Sequence, residues 1–384
     1  MPSFVSAGGG LVYLLTVLWG QRTANGFAIP IIRQTARVLP AVVVAAAEGE
    51  ESTDDRYYES FQDEHERTAR ITLTRYLDDV VKEQPELANL RSLVLALRMA
   101  CKSISNLVNR ANLANADDAF PINDLDQLST LVLKNSLRYT GKCRVTALNE
   151  PDILVAESLD SSYVACLDPL DGSSNASICT GTIFGIFTAD DCEPMQAVLQ
   201  PAKNMKAAGY CLYSSATVLV LTLNDSVQAF TLDLQSNEFV LMKSDLRIPQ
   251  RGHTYSCNEA NSLGWEPPVQ KYIHALKAGA CESKQRYNLR YVGSMIGDVH
   301  RTLLNGGIFL YPADDHDHPS GNLGYYKMSP VAVICERAGG RSTNGTVSLL
   351  EVDASEVRQK SPCFLGSPDD VAELESYLLD DNVS

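Results

Sequence analysis

The sequence predicts a mixed α/β (α+β) protein, and three observations carry that reading. Apolar residues recur at helical spacing over residues 68–83 and 88–111, most clearly in LRSLVLALRMACKSISNLV. Short runs rich in β-branched and aromatic residues, bounded by turn formers, then take over between residues 163 and 242. Beyond Gln250 helices and strands alternate again, so neither type is confined to one half of the chain. With 384 residues the chain is long enough for one large or two medium domains, each with a sizeable core.

Taken in order, the helical pattern continues at 124–137, giving a third helix. Strands are expected at 163–167, at TIFGIF (182–187), at ATVLVLTL (216–223), at VQAFTLD (227–233) and at EFVLM (238–242). LNDS, between the third and fourth of these, reads as a tight hairpin turn. GGIFLYP (306–312) is a further strand, and MSPVAVICERAGG (328–340) a helix stopped by Gly339 and Gly340. The last helix opens at Ser367-Pro368-Asp369-Asp370, a capping residue followed by proline at the first helical position. The restart of the pattern places a lobe boundary near 245–255, dividing a segment 68–248 from a segment 249–384.

Bulk properties narrow the function. A net charge of −15 disfavours nucleic acid and anionic membrane as partners. Ten cysteines stand singly, with no CxxC pair, as reduced buried thiols do, rather than in a disulfide framework or a zinc site. Residues 1–47 contain no acid and three arginines, Arg22, Arg33 and Arg37. GGGLVYLLTVLWG (8–20) is too short an apolar run to span a bilayer comfortably and resembles a signal-peptide core, although MPSFVS carries no basic side chain. A membrane anchor is the competing reading. The following TANG and FAIPIIRQTARVLPAVVVAAA resemble the second part of a bipartite presequence of algae with secondary plastids. That implies a plastid (chloroplast) stroma location, with no membrane attachment in the mature form. EGEESTDDRYYESFQDEHE (48–66) is acidic and reads as a disordered linker over 48–67, with the folded protein starting near Thr68.

The chemistry is concentrated in CLDPLDGSSNAS (166–177). Two carboxylates, Asp168 and Asp171, stand three residues apart at the expected end of a strand. Closely spaced carboxylates suit a hard, oxygen-seeking cation such as Mg²⁺. The Gly172-Ser173-Ser174 turn that follows directs backbone N–H groups at one spot and favours a phosphate there. Metal and phosphate cradle side by side describe a phosphate-ester site. A bare DxxDG is more often a type I turn with a capping serine, and it is the whole octapeptide DPLDGSSN that makes the functional reading specific.

DPLDGSSN, followed by GTIFGIF, YSCNE, RYVGSMIGDVHRTL, GGIFLYP and CFLGSPDDV, resembles the fructose-1,6-bisphosphatase family from about residue 70 to 380. The resemblance implies a two-lobed, layered αβαβα sandwich of the sugar-phosphatase type, assembled as a homotetramer. It implies removal of the 1-phosphate of fructose 1,6-bisphosphate, or a related sugar bisphosphate, with Mg²⁺ or Mn²⁺. Asp168 and Asp171 fall on its metal-binding aspartates, with the Leu170 carbonyl as a further ligand. Asp126, in NDLDQLS, falls on an aspartate that helps activate the water. Gly172, Ser173 and Ser174 fall on the cradle of the reacting phosphate. Asn258, Tyr291 and Tyr311 fall on ligands of the distal phosphate, and Gly293, Ser294 and Met295 on the sugar wall. Arg290 falls on the arginine that reaches a neighbouring subunit's site.

The pattern departs from the family at the metal. VTALNE places Ala147 and Leu148 where the family has two glutamates, and GYYK places Lys327 where it has a third. Phe120 stands at a loop aspartate, with Asp117 and Asp118 nearby, Asn322 at a lysine and Asn261 at a tyrosine. Alanine and leucine cannot ligate Mg²⁺. A lysine reverses a charge, worth roughly 4 kcal/mol per unit-charge pair at about 4 Å and an effective dielectric near 20. A reduced or altered metal count follows. Three substitutes present themselves: Glu150, the DDHDH cluster at 314–318, or Lys327 itself as a fixed cation holding a phosphate oxygen. The short TADDCEPMQAVL, with Cys192 alone, implies no regulatory disulfide, and KEQPELANL does not match the family's nucleotide-inhibitor site. Two functional readings stand side by side. One is a sugar-bisphosphate phosphatase with altered metal use; the other is a non-catalytic sugar-phosphate-binding homologue acting as sensor or regulatory subunit. Action on a smaller phosphate ester is a third, resting on the aspartate motif alone.

Overall fold

The computed structural model describes residues 71–380, apart from 114–121, 149–153, 156–160, 176–177, 190–193, 224, 315–320, 322 and 357–358. The segments expected to be a presequence and an acidic linker, Phe120, Glu150, Cys192, Asn322 and most of the DDHDH cluster lie outside the described residues.

Three helices come first: α1 (Leu73–Glu83), α2 (Ala88–Leu113) and α3 (Ile122–Arg138). Eight strands form one sheet: β1 (Cys143–Leu148), β2 (Leu154–Val155), β3 (Tyr163–Asp171), β4 (Thr180–Thr188), β5 (Ala207–Tyr213), β6 (Thr217–Thr222), β7 (Val227–Asp233) and β8 (Glu238–Lys243). The short helix α4 (Pro194–Val198) lies between β4 and β5 in the chain. The sheet order is β2-β1-β3-β4-β5-β6-β7-β8. Only β1 and β3 pair in parallel; the other pairs are antiparallel.

The second half supplies β9 (Thr254–Ser256), α5 (Pro267–Ala278), β10 (Asn288–Leu289), α6 (Met295–Asn305), β11 (Ile308–Tyr311) and β12 (Leu323–Gly324). It ends with α7 (Tyr325–Arg337), β13 (Arg341–Thr343), β14 (Lys360–Ser361), β15 (Cys363–Gly366) and α8 (Pro368–Asp380). A five-stranded sheet runs β10-β9-β11-β15-β13, and β12 pairs with β14.

Side-chain alternation sorts these elements into layers. Along β5 and β6, Tyr210, Leu212, Val218 and Val220 face one core, while Cys211, Tyr213, Leu219 and Leu221 face another. The second of these cores holds α1, α2 and α3 through residues such as Leu77, Leu97 and Leu133. The first holds α6 and α7 and continues to Phe309, Cys363 and Leu365 of the second sheet. A third core, with Tyr272, Ile273, Val371 and Leu374, packs α5 and α8 on that sheet's far face. The stacking is helix, sheet, helix, sheet, helix, which is the layered αβαβα arrangement expected. Burial on both faces is why the strands read as nearly continuous apolar runs.

Two elements differ from the sequence expectation where it matters. β3 does not stop at Leu167 but continues, wholly buried, through Asp171. α7 begins at Tyr325 rather than Met328, so that Lys327 falls in its first turn.

Candidate active site

In an unbroken strand, residues three apart point to opposite faces. Asp168 pairs with Ile183 and Asp171 with Gly181, so β3 carries one residue more than β4 across this interval. That bulge restores a common direction, and both carboxylates turn toward the layer of α6 and α7. Pro169, which has no N–H to give to the ladder, sits inside it. The freed carbonyls are satisfied from β4: Thr182 Oγ1 donates to the Pro169 carbonyl at 2.8 Å, and Thr180 Oγ1 to that of Asp171 at 2.6 Å.

Each oxygen of Asp171 has its own task. Oδ2 accepts from the Ile296 N–H at 3.0 Å and the Ser294 hydroxyl at 3.2 Å. Ser294 makes no capping bond of its own, so Asp171 caps α6 from 123 residues away. Oδ1 accepts from Lys327 Nζ at 2.8 Å. The same ammonium lies 3.0 Å from Asp168 Oδ2. Lys327 therefore sits between the two aspartates, and all three side chains are largely buried.

Burial pushes the Asp168 carboxyl up to about 6, against the attraction of Lys327 and with the help of Asp171 and Asp126. Burial lowers the Lys327 ammonium, but the two carboxylates outweigh it and hold that group well above its ordinary value, so it stays charged.

Next to the ion pairs is a cavity of about 320 Å³, lined by Asp126, Thr130 and Lys134 of α3, Leu148 of β1, Asp168, Pro169 and Leu170 of β3, then Gly172, Ser173, Ser174 and Lys327. Gly172 has φ 69°, and a Cβ there would stand 2.7 Å from that of Ser294. Only glycine serves at this corner, for backbone conformation and for space. Asn175 Nδ2 donates to the Val292 carbonyl at 3.3 Å, a second tie between the cradle and the segment before α6.

The expected site residues fall into two groups. Asp126, Asp168, Leu170, Gly172, Ser173 and Ser174 line the one cavity; Asp171 does not line it but bonds Ser294, which precedes the buried Met295 at the start of α6. Gly293 lies beside Asn175. Asn258, Arg290, Tyr291 and Tyr311 do not line this cavity. Asn258 caps the 3-10 turn Glu259–Gly264 and meets Asn261. Arg290 is exposed and donates to the Leu289 carbonyl at 2.9 Å. Tyr291 is half-exposed; burial, followed by the nearby Tyr311, pushes its hydroxyl up to about 12. Sequence reasoning did not anticipate Thr130 and Lys134; their spacing from Asp126 (i+4 and i+8 on one helix) was the available signal.

A divalent metal does not fit the residues present. Ala147 and Leu148 are buried and offer no side-chain oxygen, one oxygen of Asp171 caps a helix, and the other faces an ammonium shared with Asp168. Among the described residues no cluster of three or more His, Cys, Asp or Glu is placed to hold a metal. Asp314, from the acidic cluster, packs against Gly264.

The comparisons with known proteins converge. The family model described as "Fructose-1-6-bisphosphatase, N-terminal domain" matches residues 71–244, and that described as "Fructose-1-6-bisphosphatase, C-terminal domain" matches 248–379. The chain belongs to the fructose-1,6-bisphosphatase family. It is similar to the chloroplastic fructose-1,6-bisphosphatase of Pisum sativum, 39% identical over 341 residues that cover 80% of this chain and 83% of the pea protein. It is similar also to the cytosolic enzyme of Oryza sativa subsp. indica, 39% identical over 80% of this chain and 95% of the rice protein. The crystal structure of Leishmania major fructose-1,6-bisphosphatase in holo form matches with a TM-score of 0.73 and 34% identity, covering 80% of this chain and 98% of that one. The described residues thus carry the family's fold, with an ammonium between Asp168 and Asp171.

Proposed function

We propose that this member of the family binds a sugar bisphosphate of the fructose 1,6-bisphosphate class and does not hydrolyse it with Mg²⁺ or Mn²⁺. One observation carries the reading: Lys327 is in contact with both Asp168 and Asp171. A carboxylate pair already neutralised by an ammonium has little left to attract a dication, and no bound hydroxide can then be generated there.

What supports binding is that Ser173, Ser174 and Gly172 line the cavity beside Lys327; the remaining roles, including those of residues outside that cavity, are assigned by the family pattern. Gly172, Ser173 and Ser174 receive one phosphate, Gly293, Ser294 and Met295 face the sugar, and Asn258, Tyr291 and Tyr311 take the distal phosphate. Arg290 reaches the site of a second copy in a homotetramer. Asp126, in the family's reaction an activator of water, lines the pocket without a metal-bound water to act on. The protein then serves as a sensor or as a regulatory subunit of an active relative. The two lobes meet near residue 248, and the segment 1–47 directs the chain to the plastid stroma.

Calorimetry with fructose 1,6-bisphosphate tests this, run beside a phosphate-release assay. Saturable binding that weakens on Arg290→Ala, with no release in Mg²⁺ or Mn²⁺, is the expected result. Release that disappears in Asp168→Asn would restore the hydrolytic reading. No binding at all would sink both.

A further inference from the structure

We propose that Lys327 is a built-in replacement for a divalent metal: it keeps such ions from Asp168 and Asp171 and offers its remaining N–H to an oxygen of a phosphate monoester. This deepens the binding reading above by naming the cation that recognises the phosphate. An ammonium has three donors. One is given to Asp171 Oδ1 at 2.8 Å, the ammonium lies as an ion pair 3.0 Å from Asp168 Oδ2, and the residue lines the cavity beside Ser173 and Ser174. Even with Asp168 counted, one donor remains for a ligand.

Charge bookkeeping shows why a lysine can take this place. Lys134 and Lys327 oppose Asp126 and Asp168 on the wall and Asp171 paired to Lys327 beside it, two positive against three negative, a formal −1. With a carboxylate at 327 and no metal the same group of charges, Asp171 included, would be one positive against four negative, or −3, and would call in a dication. The neighbouring positions fit this arrangement. Ala147 and Leu148 bring no further negative charge to the site, and Leu148 forms part of the cavity wall. The cation is also anchored covalently in the first turn of α7, inside the middle layer. Phosphate recognition here is consequently independent of divalent metal.

The test uses the full chain and two probes, Mn²⁺ alone and inorganic phosphate. Electron paramagnetic resonance of free Mn²⁺ is expected to be unchanged by the wild-type protein. Lys327→Glu is expected to retain about one Mn²⁺ per chain, lost again when Asp168→Asn is added. Calorimetric phosphate affinity should agree within about twofold in EDTA and in Mn²⁺, stay within about threefold in Lys327→Arg, and fall about tenfold or more in Lys327→Met. Should Lys327→Glu fail to fold, Lys327→Gln takes its place, since it removes the charge and leaves a ligating oxygen.

Wild-type Mn²⁺ binding that vanishes in Asp168→Asn overturns the proposal. So does phosphate binding tightened about tenfold by Mn²⁺, or left unchanged in Lys327→Met. The Mn²⁺ arm contains no sugar phosphate, so its failure is distinct from failure of the binding reading.

Discussion

Removing the Lys327 charge with Lys327→Met leaves Asp168 and Asp171 buried, adjacent and without their cation. At about 3 Å and an effective dielectric near 20, each ion pair is worth roughly 5 kcal/mol before the cost of burying the ammonium is subtracted. Breaking one side of a buried ion pair typically costs about 3–5 kcal/mol net, and that is the loss expected near pH 7.5. Asp168 limits it. Its carboxyl is already pushed up to about 6, chiefly by burial, and without Lys327 it rises further. A folded-state value above the unfolded one favours the native state at low pH, an advantage lost as the pH climbs through the folded value. The variant should therefore recover about 2 kcal/mol of its deficit between pH 7.5 and 5. Urea unfolding at both pH values measures this, and the double variant with Asp168→Asn should regain most of the loss. A deficit below about 1 kcal/mol that does not change with pH would refute the reasoning, because the ammonium would not then be neutralising the pair.

Other sites give independent expectations. Gly172→Ala forces a side chain at φ 69° and against Ser294, and should cost about 1–3 kcal/mol and weaken phosphate binding, as read by thermal melting and calorimetry. Arg251 pairs with the buried Glu373 at 2.5 Å and Asp370 at 3.4 Å; Arg251→Met removes their cation, leaving Asp370 only the Tyr287 hydroxyl and Gly252 N–H and Glu373 only the Glu282 N–H, and should cost about 3 kcal/mol, read by urea unfolding. His300 is partly buried against Tyr210, its Nδ1 2.7 Å from the phenol oxygen, and desolvation lowers it to about 4. Its folded value lies below the unfolded one, so its contribution is complete above about pH 6.5 and is lost as pH falls through about 4, up to about 3 kcal/mol. His300→Asn should flatten the stability profile across that window.

The family and its layers were legible because DPLDGSSN and its companions are long, ordered motifs and because strand alternation marks buried sheets. The bulge in β3 was not, since register is a property of two strands and the sequence of one cannot show that Asp168 and Asp171 turn the same way. Nor was the start of α7, which is packed between two sheets and apolar nearly all round, so no 3.6-residue stripe marks where it begins. β5 escaped notice because AAGYCLY opens with weak strand formers; Gly209 is there because the Phe184 ring occupies the space of a Cβ. The family resemblance implied a lysine at a carboxylate position, and that the Lys327 ammonium reaches both aspartates required the fold.

The most direct measurement is an anomalous difference map from crystals soaked in Mn²⁺. Density for the Lys327 ammonium between Asp168 and Asp171, with no anomalous peak beside it, is the expected result. A manganese peak ligated by both carboxylates, with the Lys327 side chain swung away, would contradict it.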